Sequence, residues 1–542
     1  MTHAFDWSSG YASRRSPLFA RNVVSTSHPL GAQVGLKMLQ SGGNAVDAAI
    51  ATAAAMAILE PCSNGLGSDA FAIVWDGTEL HGLNASGPAP AAWTPAYFGA
   101  KYGAAATTPP KRGWDSVTVP GAVAGWVALH ERFGRLPFAD LLAPAIEIAE
   151  RGYAVPVIIQ QKWRNAAALH ELTSQPGFAQ AFLPHGRAPE VGERFSFEAA
   201  ARTLRLIALT TGESFYGGEV AEAAEAHALQ HGGVMRAADF AAFRPEWVTP
   251  LSRDYRGYTL HEIPPNGQGI AALIALGILE QFDIAALGAD SVASQHLQIE
   301  AMKLAFADVY RHVAEPRAMR LSARQMLDPG YLVGRSRLID PQRAQDFGPG
   351  HAPQGGTIYL SSADERGMMV SFIQSNYMGF GSGVVIPGYG VSLQNRGHGF
   401  TLDPTSDNLV GPGKRPFHTI IPAFLTKEGR PVMSFGVMGG DMQPQGHLQT
   451  LVRMLDYRQQ PQAACDAPRW RWNAGTLSVE PGFAAAQGLV DLGHKVDSFT
   501  DSYQDFGAGQ FIWRLDEGQG DVALAGYAAA SDPRRDGQAA GF

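Results

Sequence analysis

The hydrophobic pattern of the chain changes about two thirds of the way along its length. Before that point apolar residues recur mainly at three- and four-residue spacing, which predicts helices; beyond it, apolar and polar positions mainly alternate, which predicts strands. Expected helices cover residues 29–41, 45–60, 123–151, 196–209, 219–230, 269–282, 292–314 and 445–457, and expected strands cover 70–75, 79–83, 357–362, 368–375, 390–394, 419–425 and 432–437. Helices and strands in separate blocks favour an α+β layered fold over a parallel βαβ array.

Polar residues mark the starts of the first two helices. Ser27 is the expected N-cap of a helix that ends at Gly42, and Asn44 is the expected N-cap of the next one, which runs to Pro61. Periodicity fades between residues 314 and 354, and residues 351–356 have the composition of a linker. The linker leads directly into the first strand of the later block.

That strand opens an unusual hairpin, QGGTIYLSSADERGMMVSFIQS, in which two glycines run into Thr357. If the Gly356–Thr357 bond were cut, Thr357 would carry a free α-amine beside its hydroxyl, so that one residue supplies both nucleophile and base. Such an amine titrates near ~7.7–8.0 and is partly neutral at cellular pH. The hairpin alone still favours a purely structural role for Thr357, because Gly-Gly-Thr at a strand start is common.

Composition narrows the classes of function. The 542 residues are 45% hydrophobic and 17% charged, the formal net charge is -8, and no block of Lys or Arg occurs. This argues against nucleic-acid and membrane partners and favours a small, diffusible substrate. The N-terminus has no export-type apolar region and no run of ~18 apolar residues occurs, so we expect a cytoplasmic protein. Cys62 and Cys465 do not have metal-ligand or redox spacing, and GxSxG, HExxH, Walker and CxxC motifs are missing.

Longer stretches resemble the γ-glutamyltransferase family, whose members are proenzymes that cleave themselves before a threonine. They are SHPLGAQVGLKMLQSGGNAVDAAIATAAAMAILEP, VTVPGAVAGWVALHERFGRLPFADLLAPAIEIAERG, YRGYTLHEIPPNGQG, EAMKLAFADVYRHV, GKRPFHTIIPAF, GVMGG and SDPRRDG. The resemblance covers nearly the whole chain in order. It implies the four-layer αββα sandwich of the N-terminal nucleophile (Ntn) hydrolases, with a large chain of residues 1–356 and a small chain of residues 357–542 in one folded unit.

The resemblance also implies roles for single residues. Thr357 matches the nucleophile, Gly356 and Thr357 flank the cleaved bond, and Ser375 matches a hydroxyl residue that hydrogen-bonds the nucleophile. Gly439 and Gly440 match the backbone pair whose N–H groups form the oxyanion hole, although a simple turn would explain them equally well without the resemblance. This chemistry requires no metal and no organic cofactor.

Positions that recognise the glutamyl group depart from the family pattern. The arginine that holds the α-carboxylate falls at Ser86, and the acid that holds the α-amine falls at Gly399. Tyr377 replaces an asparagine, and His418 and Thr419 replace paired serines. We therefore expect the nucleophile and oxyanion hole to be retained but the acyl group to differ.

The preferred expectation is an amidohydrolase, or acyl transferase, for a small or singly charged acyl group, as in the oxamate-amidohydrolase-like branch. A lone carboxylate could pair with one of several cations, namely Arg396, His398, Lys414, Arg415 and His418, each of which could equally have a structural role. Three alternatives stay open: a glutathione or γ-glutamyl-peptide hydrolase, a cephalosporin-type side-chain acylase with an apolar pocket of Tyr377, Met378 and Phe380, and an uncleaved, inactive binding relative. The number of subunits also stays open, a homodimer included.

Overall fold

Two seven-stranded antiparallel sheets face each other in the computed structural model, which describes residues 14–347, 356–498 and 506–542. Sheet 1 has the strand order Leu18–Ala20, Tyr527–Ser531, Ala508–Arg514, Arg430–Met438, Ala423–Lys427, Tyr258–Glu262, Leu251–Tyr255. Sheet 2 has the strand order Gln538–Gly541, Val23–Thr26, Gly356–Ala363, Met369–Tyr377, Asp69–Trp75, Leu80–Ala85, Glu246–Val248. An apolar layer that includes Phe71, Tyr359, Ile373 and Phe424 fills the space between the sheets.

Helices cover the outer face of each sheet. Against sheet 2 and in the layer behind it lie Pro29–Gln40, Ala45–Leu59, Ala122–Phe133, Phe138–Arg151, Glu198–Thr210 and Glu219–Gln230. Against sheet 1 and in the layer behind it lie Ile270–Leu279, Val292–His312, Pro329–Ser336, Met442–Leu451 and Pro461–Asp466. Shorter helices cover 95–102, 157–167, 170–173, 178–182, 213–216, 237–242, 323–326, 486–491 and 522–525, and small sheets pair 153–154 with 194–195, 385–386 with 391–392, and 470–473 with 476–479 and 496–498. The arrangement is the predicted αββα sandwich.

The helix Ala45–Leu59 is buried on every side, which explains its Ala-rich sequence. Asn44 caps it as predicted: the Asn44 side chain accepts from the Asp47 N–H, and the Asp47 side chain accepts from the Asn44 N–H. The predicted cap of the first helix was wrong, because His28 holds that position and accepts from the Leu30 N–H. Ser27 instead donates to the buried carboxylate of Glu60, at 2.7 Å.

Other element predictions need correction as well. The strands Leu251–Tyr255 and Tyr258–Glu262 interrupt the helical block, and the predicted strand 390–394 shortens to Val391–Ser392. The helix predicted over 445–457 begins at Met442, and its last turn is a wide π-helical segment, Val452–Asp456. Residues 351–355 of the predicted linker lie outside the described residues. Within the described ranges, every helix is too short or too polar to span a bilayer.

The hairpin that carries Thr357 forms two central strands of sheet 2. Pairs such as Tyr359 with Ile373 set a regular antiparallel register, but the register shifts between Gly356 and Ile358. Thr357 therefore sits at a bulge, a feature that redirects a side chain out of the regular pleat.

Candidate functional site

Thr357 has its hydroxyl held by the far end of its own hairpin. Thr357 Oγ1 donates to Ser375 Oγ over 3.2 Å, and the same Ser375 oxygen accepts the Tyr377 N–H at 2.8 Å. Thr357 is only 2% exposed, so its hydroxyl is shielded from bulk water. The two predicted hydroxyl residues are thus brought together by the register of one hairpin.

Gly439 and Gly440 form the sharp turn between the strand Arg430–Met438 and the helix Met442–Leu451. Their φ angles are +123° and +63°, and a Cβ on Gly439 would lie 3.0 Å from Gly507 Cα, so glycine is required. Within the described ranges, neither glycine N–H donates a hydrogen bond to a protein group. Both donors are therefore available to a bound oxyanion, as an oxyanion hole needs.

Gln268 supports this turn from a neighbouring loop, and sequence reasoning did not single it out. Its Nε2 donates to the carbonyl oxygen of Gly440 at 2.9 Å and to that of Thr419 at 2.6 Å. The bonds tie the turn to the segment that carries His418 and Thr419. The signal was present in the quoted stretch YRGYTLHEIPPNGQG, but nothing local indicated the contact.

Thr357, Tyr377, Gly399 and Gly439 line one cavity of about 1320 Å³. Its wall contains more cations than anions: the charged lining residues are Lys111, Arg112, Lys162, Arg471 and Arg535 against Glu171 and Asp403. Apolar and aromatic lining comes from Tyr310, Met378, Phe380, Phe400, Phe417 and Met438. The cavity suits a substrate that carries negative charge beside an apolar part.

Arg396 lies behind the ring of Tyr377, with its Cζ 4.6 Å from the ring centroid. Its Nη1 donates to Thr419 Oγ1 at 2.8 Å, and the residue is 1% exposed. Burial lowers the pKa of Arg396 to about 10, so the side chain is still a cation at neutral pH. A buried positive charge thus stands next to one wall of the cavity.

Asp69 and His418 form a buried pair beside Arg396. His418 Nε2 lies 3.1 Å from Asp69 Oδ2, and Asp69 Oδ1 accepts the N–H groups of Gly87 and Gly121. Burial and the nearby Arg396 charge hold the pKa of His418 well below its usual range, so its ring is neutral. Burial raises the pKa of Asp69 to about 7. Asp69 was not predicted, although an acid at the start of the apolar run DAFAIVW was a usable signal.

Comparison with known proteins identifies the family. A family model described as gamma-glutamyltranspeptidase matches residues 31–542. The chain belongs to the gamma-glutamyltranspeptidase family. It is 36% identical to the glutathione hydrolase-like YwrD proenzyme of Bacillus subtilis (97% of this chain, 100% of that one) and 37% identical to the oxamate amidohydrolase proenzyme of Klebsiella pneumoniae (97% and 99%). A crystal structure of cephalosporin acylase from Bacillus halodurans superposes with a TM-score of 0.93 at 48% identity and covers 99% of both chains.

These similarities confirm the Ntn-hydrolase sandwich and make this gamma-glutamyltranspeptidase-family protein an enzyme. Its predicted substrate residues fall into three places. Tyr377 and Gly399 line the cavity, while Arg396, His418 and Thr419 form a buried group near it. Ser86 does not line the cavity; its hydroxyl donates to Asn84 Oδ1 at 2.7 Å in a buried network with Asn266, whose carbonyl oxygen accepts the His418 N–H.

The remaining predicted cations of the gamma-glutamyltranspeptidase-family protein have other surroundings. His398 lines the main cavity, but its Nδ1 is bound to the carbonyl of Pro109 at 2.7 Å. Lys414 and Arg415 line a separate cavity of about 510 Å³. The Arg415 guanidinium contacts the Ser86 carbonyl at 2.9 Å and Glu246 at 3.0 Å, so it has partners within the fold.

Proposed function

We propose that the protein is a self-cleaving threonine amidohydrolase, cut between Gly356 and Thr357 into a large chain of residues 1–356 and a small chain of residues 357–542. The observation that carries this proposal is the Thr357 Oγ1–Ser375 Oγ contact of 3.2 Å at a strand bulge. Thr357 faces the same cavity as the Gly439 turn. Nucleophile, supporting hydroxyl and oxyanion donors are therefore available to one bound substrate.

Maturation begins with attack by Thr357 Oγ1 on the carbonyl carbon of Gly356. The peptide C–N bond breaks and an ester forms between Gly356 and the Thr357 oxygen. The hydroxyl proton moves to the Thr357 nitrogen, which becomes a free α-amine. Water then hydrolyses the ester, which releases the Gly356 carboxylate and restores the hydroxyl. Two chains result without any other enzyme.

In turnover the new α-amine accepts the hydroxyl proton as Thr357 Oγ1 attacks the substrate amide. The N–H groups of Gly439 and Gly440 hold the oxyanion of the tetrahedral intermediate. The leaving amine takes the proton from the α-amine, and an acyl ester remains on Thr357. Water attacks this ester with the α-amine again as base and releases the acid.

The acyl group of the substrate is small and carries one negative charge in our preferred form of the proposal, as in oxamate. The similarity to an oxamate amidohydrolase and the cationic wall of the cavity support this form. A γ-glutamyl substrate is less favoured, because Ser86 and Gly399 supply neither of the charges that its zwitterionic head group needs.

Cavity size supports a second candidate, a cephalosporin-type acylase with a bulky leaving amine. Drug-sized ligands occupy pockets of roughly 300–1,000 Å³. This cavity measures about 1320 Å³, so it has room for an amide with a bulky amine portion. A panel of oxamate, γ-glutamyl-p-nitroanilide and a glutaryl β-lactam nucleus separates the candidates, and the amide with the highest kcat/KM identifies the acyl class.

Thr357→Ala tests the shared core of both candidates. The wild-type protein should show two bands on a denaturing gel, near two thirds and one third of the mass, and Thr357→Ala should show one intact band and no amidase activity. Ser375→Ala should slow both steps by about 10-fold or more because one hydrogen bond to the nucleophile is lost, whereas Ser375→Thr should retain them.

Ser371→Ala is the matched control, since Ser371 lies on the same face of the same strand and its hydroxyl contacts Tyr359 rather than Thr357. A wild-type protein that stays intact after prolonged incubation would contradict the proposal and leave a binding relative. Cleavage of Thr357→Ala into two chains would show that another residue is the nucleophile.

A further inference from the structure

Arg396 is buried with two hydrogen-bond donors that no described residue accepts. Its Nη1 donates to Thr419, but Nε and Nη2 have no partner within residues 14–347, 356–498 and 506–542. Nε–H and Nη2–H point along one edge of the guanidinium, the edge that matches both oxygens of a carboxylate. Buried hydrogen-bond donors of a charged group seldom lack an acceptor, so we expect a bound group to accept hydrogen bonds from this edge.

The chain supplies no carboxylate of its own at this edge. Within the described ranges, no acidic oxygen lies within 4.0 Å of an Arg396 nitrogen. Asp69 interacts with Arg396 by long-range electrostatic attraction and not by a hydrogen bond, because the Asp69 oxygens accept hydrogen bonds from Gly87, Gly121 and His418. His418 is neutral and does not compete for an anion. An anionic ligand would therefore meet a cation without a hydrogen-bonded counter-ion.

Short contacts link Arg396 to the reacting groups. The Tyr377 ring that stacks on its guanidinium lines the cavity, and the Tyr377 N–H binds the Ser375 oxygen that holds Thr357. On the other side, Gln268 joins the carbonyls of Thr419 and Gly440. Arg396 itself does not line the cavity, so these contacts place its guanidinium one side chain behind the cavity wall, beside the groups that would hold the acyl part of a substrate.

We propose that the Nε–Nη2 edge of Arg396 binds a free carboxylate on the acyl group, and that the substrates are half-amides of dicarboxylic acids. The inference rests on the proposed threonine amidohydrolase and specifies its acyl class. Arg396 would supply the positive charge for a substrate carboxylate that Ser86 and Gly399, both uncharged, do not supply. The chain length between the two carboxyl carbons sets which half-amide fits.

Matched chromogenic substrates test the inference on the mature two-chain protein. The p-nitroanilides of oxalic, succinic and glutaric acid each leave one free carboxylate, and the acetyl, butyryl and valeryl p-nitroanilides are their neutral partners of equal carbon number. We expect the anionic member of at least one pair to have the higher kcat/KM by about 10- to 100-fold, the range of a charge-assisted hydrogen bond. Arg396→Met should abolish that preference, and Arg396→Lys, which keeps the charge but not the two-pronged edge, should retain only part of it.

Arg317→Met is the control, because Arg317 is exposed and lies on the separate cavity. Two-chain maturation of each variant shows that the fold and the Thr357 chemistry survive, so loss of preference is distinct from failure of the proposed function. Equal rates within every pair, or a preference that survives Arg396→Met, would overturn the inference.

If no p-nitroanilide is hydrolysed, calorimetric titration with oxamate, succinate and glutarate decides the matter. Binding of one of these anions that is lost in Arg396→Met and weakened in Arg396→Lys supports the carboxylate site. No binding, or binding that Arg396→Met retains in full, refutes it.

Discussion

Glu262 and His447 form a buried residue pair that fixes the elements around the Gly439–Gly440 turn. His447 Nδ1 lies 2.7 Å from Glu262 Oε1, and its Nε2 accepts the Val437 N–H at 3.2 Å. Nε2 must carry a lone pair to accept this bond, so the ring is neutral and donates through Nδ1. Burial lowers the pKa of His447 to about 3 and raises the pKa of Glu262 well above its usual value.

Proton counting on this residue pair predicts opposite pH responses for its two single variants. The ordinary pKa values are 4.5 for Glu262 and 6.5 for His447. Between these two pH values, the unfolded state holds one proton on His447, and the folded state holds one on Glu262. In the wild type, this pair therefore adds no pH dependence to the free energy of unfolding. In His447→Gln only the folded state keeps the Glu262 proton, so stability falls as pH rises. In Glu262→Gln only the unfolded state binds a proton, on His447, so stability rises with pH.

Each slope approaches ~1.4 kcal/mol per pH unit in the free energy of unfolding. Urea unfolding of the wild type and both variants at pH 4.5, 5.5 and 6.5 measures them, with the wild-type curve subtracted to remove the other groups. Parallel difference curves for the two variants would contradict the assignment of one shared proton.

Individual site residues differed in how far the sequence could predict them. Thr357 and Ser375 lie in one hairpin. Once the turn at residues 363–367 is predicted, the alternation of side chains along the two strands predicts that these two residues lie close together. Asp69 and His418 are 349 positions apart, and only the packing of the two sheets brings them together. The sequence could not predict the free Nε–Nη2 edge of Arg396 either, because only the packed structure shows which described residues lie within hydrogen-bond distance of it.

Among the structural elements, the hairpin turn holds the buried helix Ala45–Leu59 in place. Asp364 Oδ2 accepts the Ala45 N–H at 3.0 Å, while Oδ1 accepts the Arg366 N–H at 2.9 Å. Asp364→Ala removes a cap from a helix start that water cannot reach, so we expect a loss of about 1–2 kcal/mol in the free energy of unfolding. Asp364→Asn keeps an acceptor oxygen and should recover most of it, as measured by urea unfolding at one pH.

Glu365→Ala is the neighbouring control for this element, because the exposed Glu365 carboxylate makes one contact of 3.3 Å with Asn22. An Asp364→Ala protein as stable as Glu365→Ala would show that the turn does not cap the helix. Self-cleavage should persist in both variants, since Thr357 lies at the other end of the strand.

Elements with strong local signals were predicted well, and those that depend on distant partners were not. The buried helix Ala45–Leu59 and the hairpin had clear caps, turns and periodicity. The strand Tyr258–Glu262 pairs with Ala423–Lys427, which lies more than 150 residues further along the chain, so nothing in the local sequence indicated this pairing. The wide turn Val452–Asp456 keeps the periodicity of a helix, which is why an ordinary helix was predicted through it.

Across the whole molecule, both sheets contain strands from the two sides of the proposed cut, and strands of opposite origin pair with each other in each sheet. In sheet 2, Val23–Thr26 lies between Gln538–Gly541 and Gly356–Ala363. In sheet 1, Ala423–Lys427 pairs with Tyr258–Glu262. The cut after Gly356 falls at the bulge, so the regular pairs from Ile358 onward stay intact. Cys62 and Cys465, one in each proposed chain, are free, so the chains are held by packing and hydrogen bonds.

The mature molecule should therefore behave as one cooperative unit made of two chains. We expect both chains to co-elute in gel filtration without denaturant, with or without reductant, and to unfold in a single urea transition that circular dichroism and tryptophan fluorescence report at the same midpoint. The Thr357→Ala precursor should have a Tm close to that of the mature protein, because the cut affects at most the terminal pair Gly356–Tyr377 and leaves the pairs from Ile358 onward intact. Chains that separate below the unfolding midpoint, or two resolved transitions, would show instead that each chain holds its own fold.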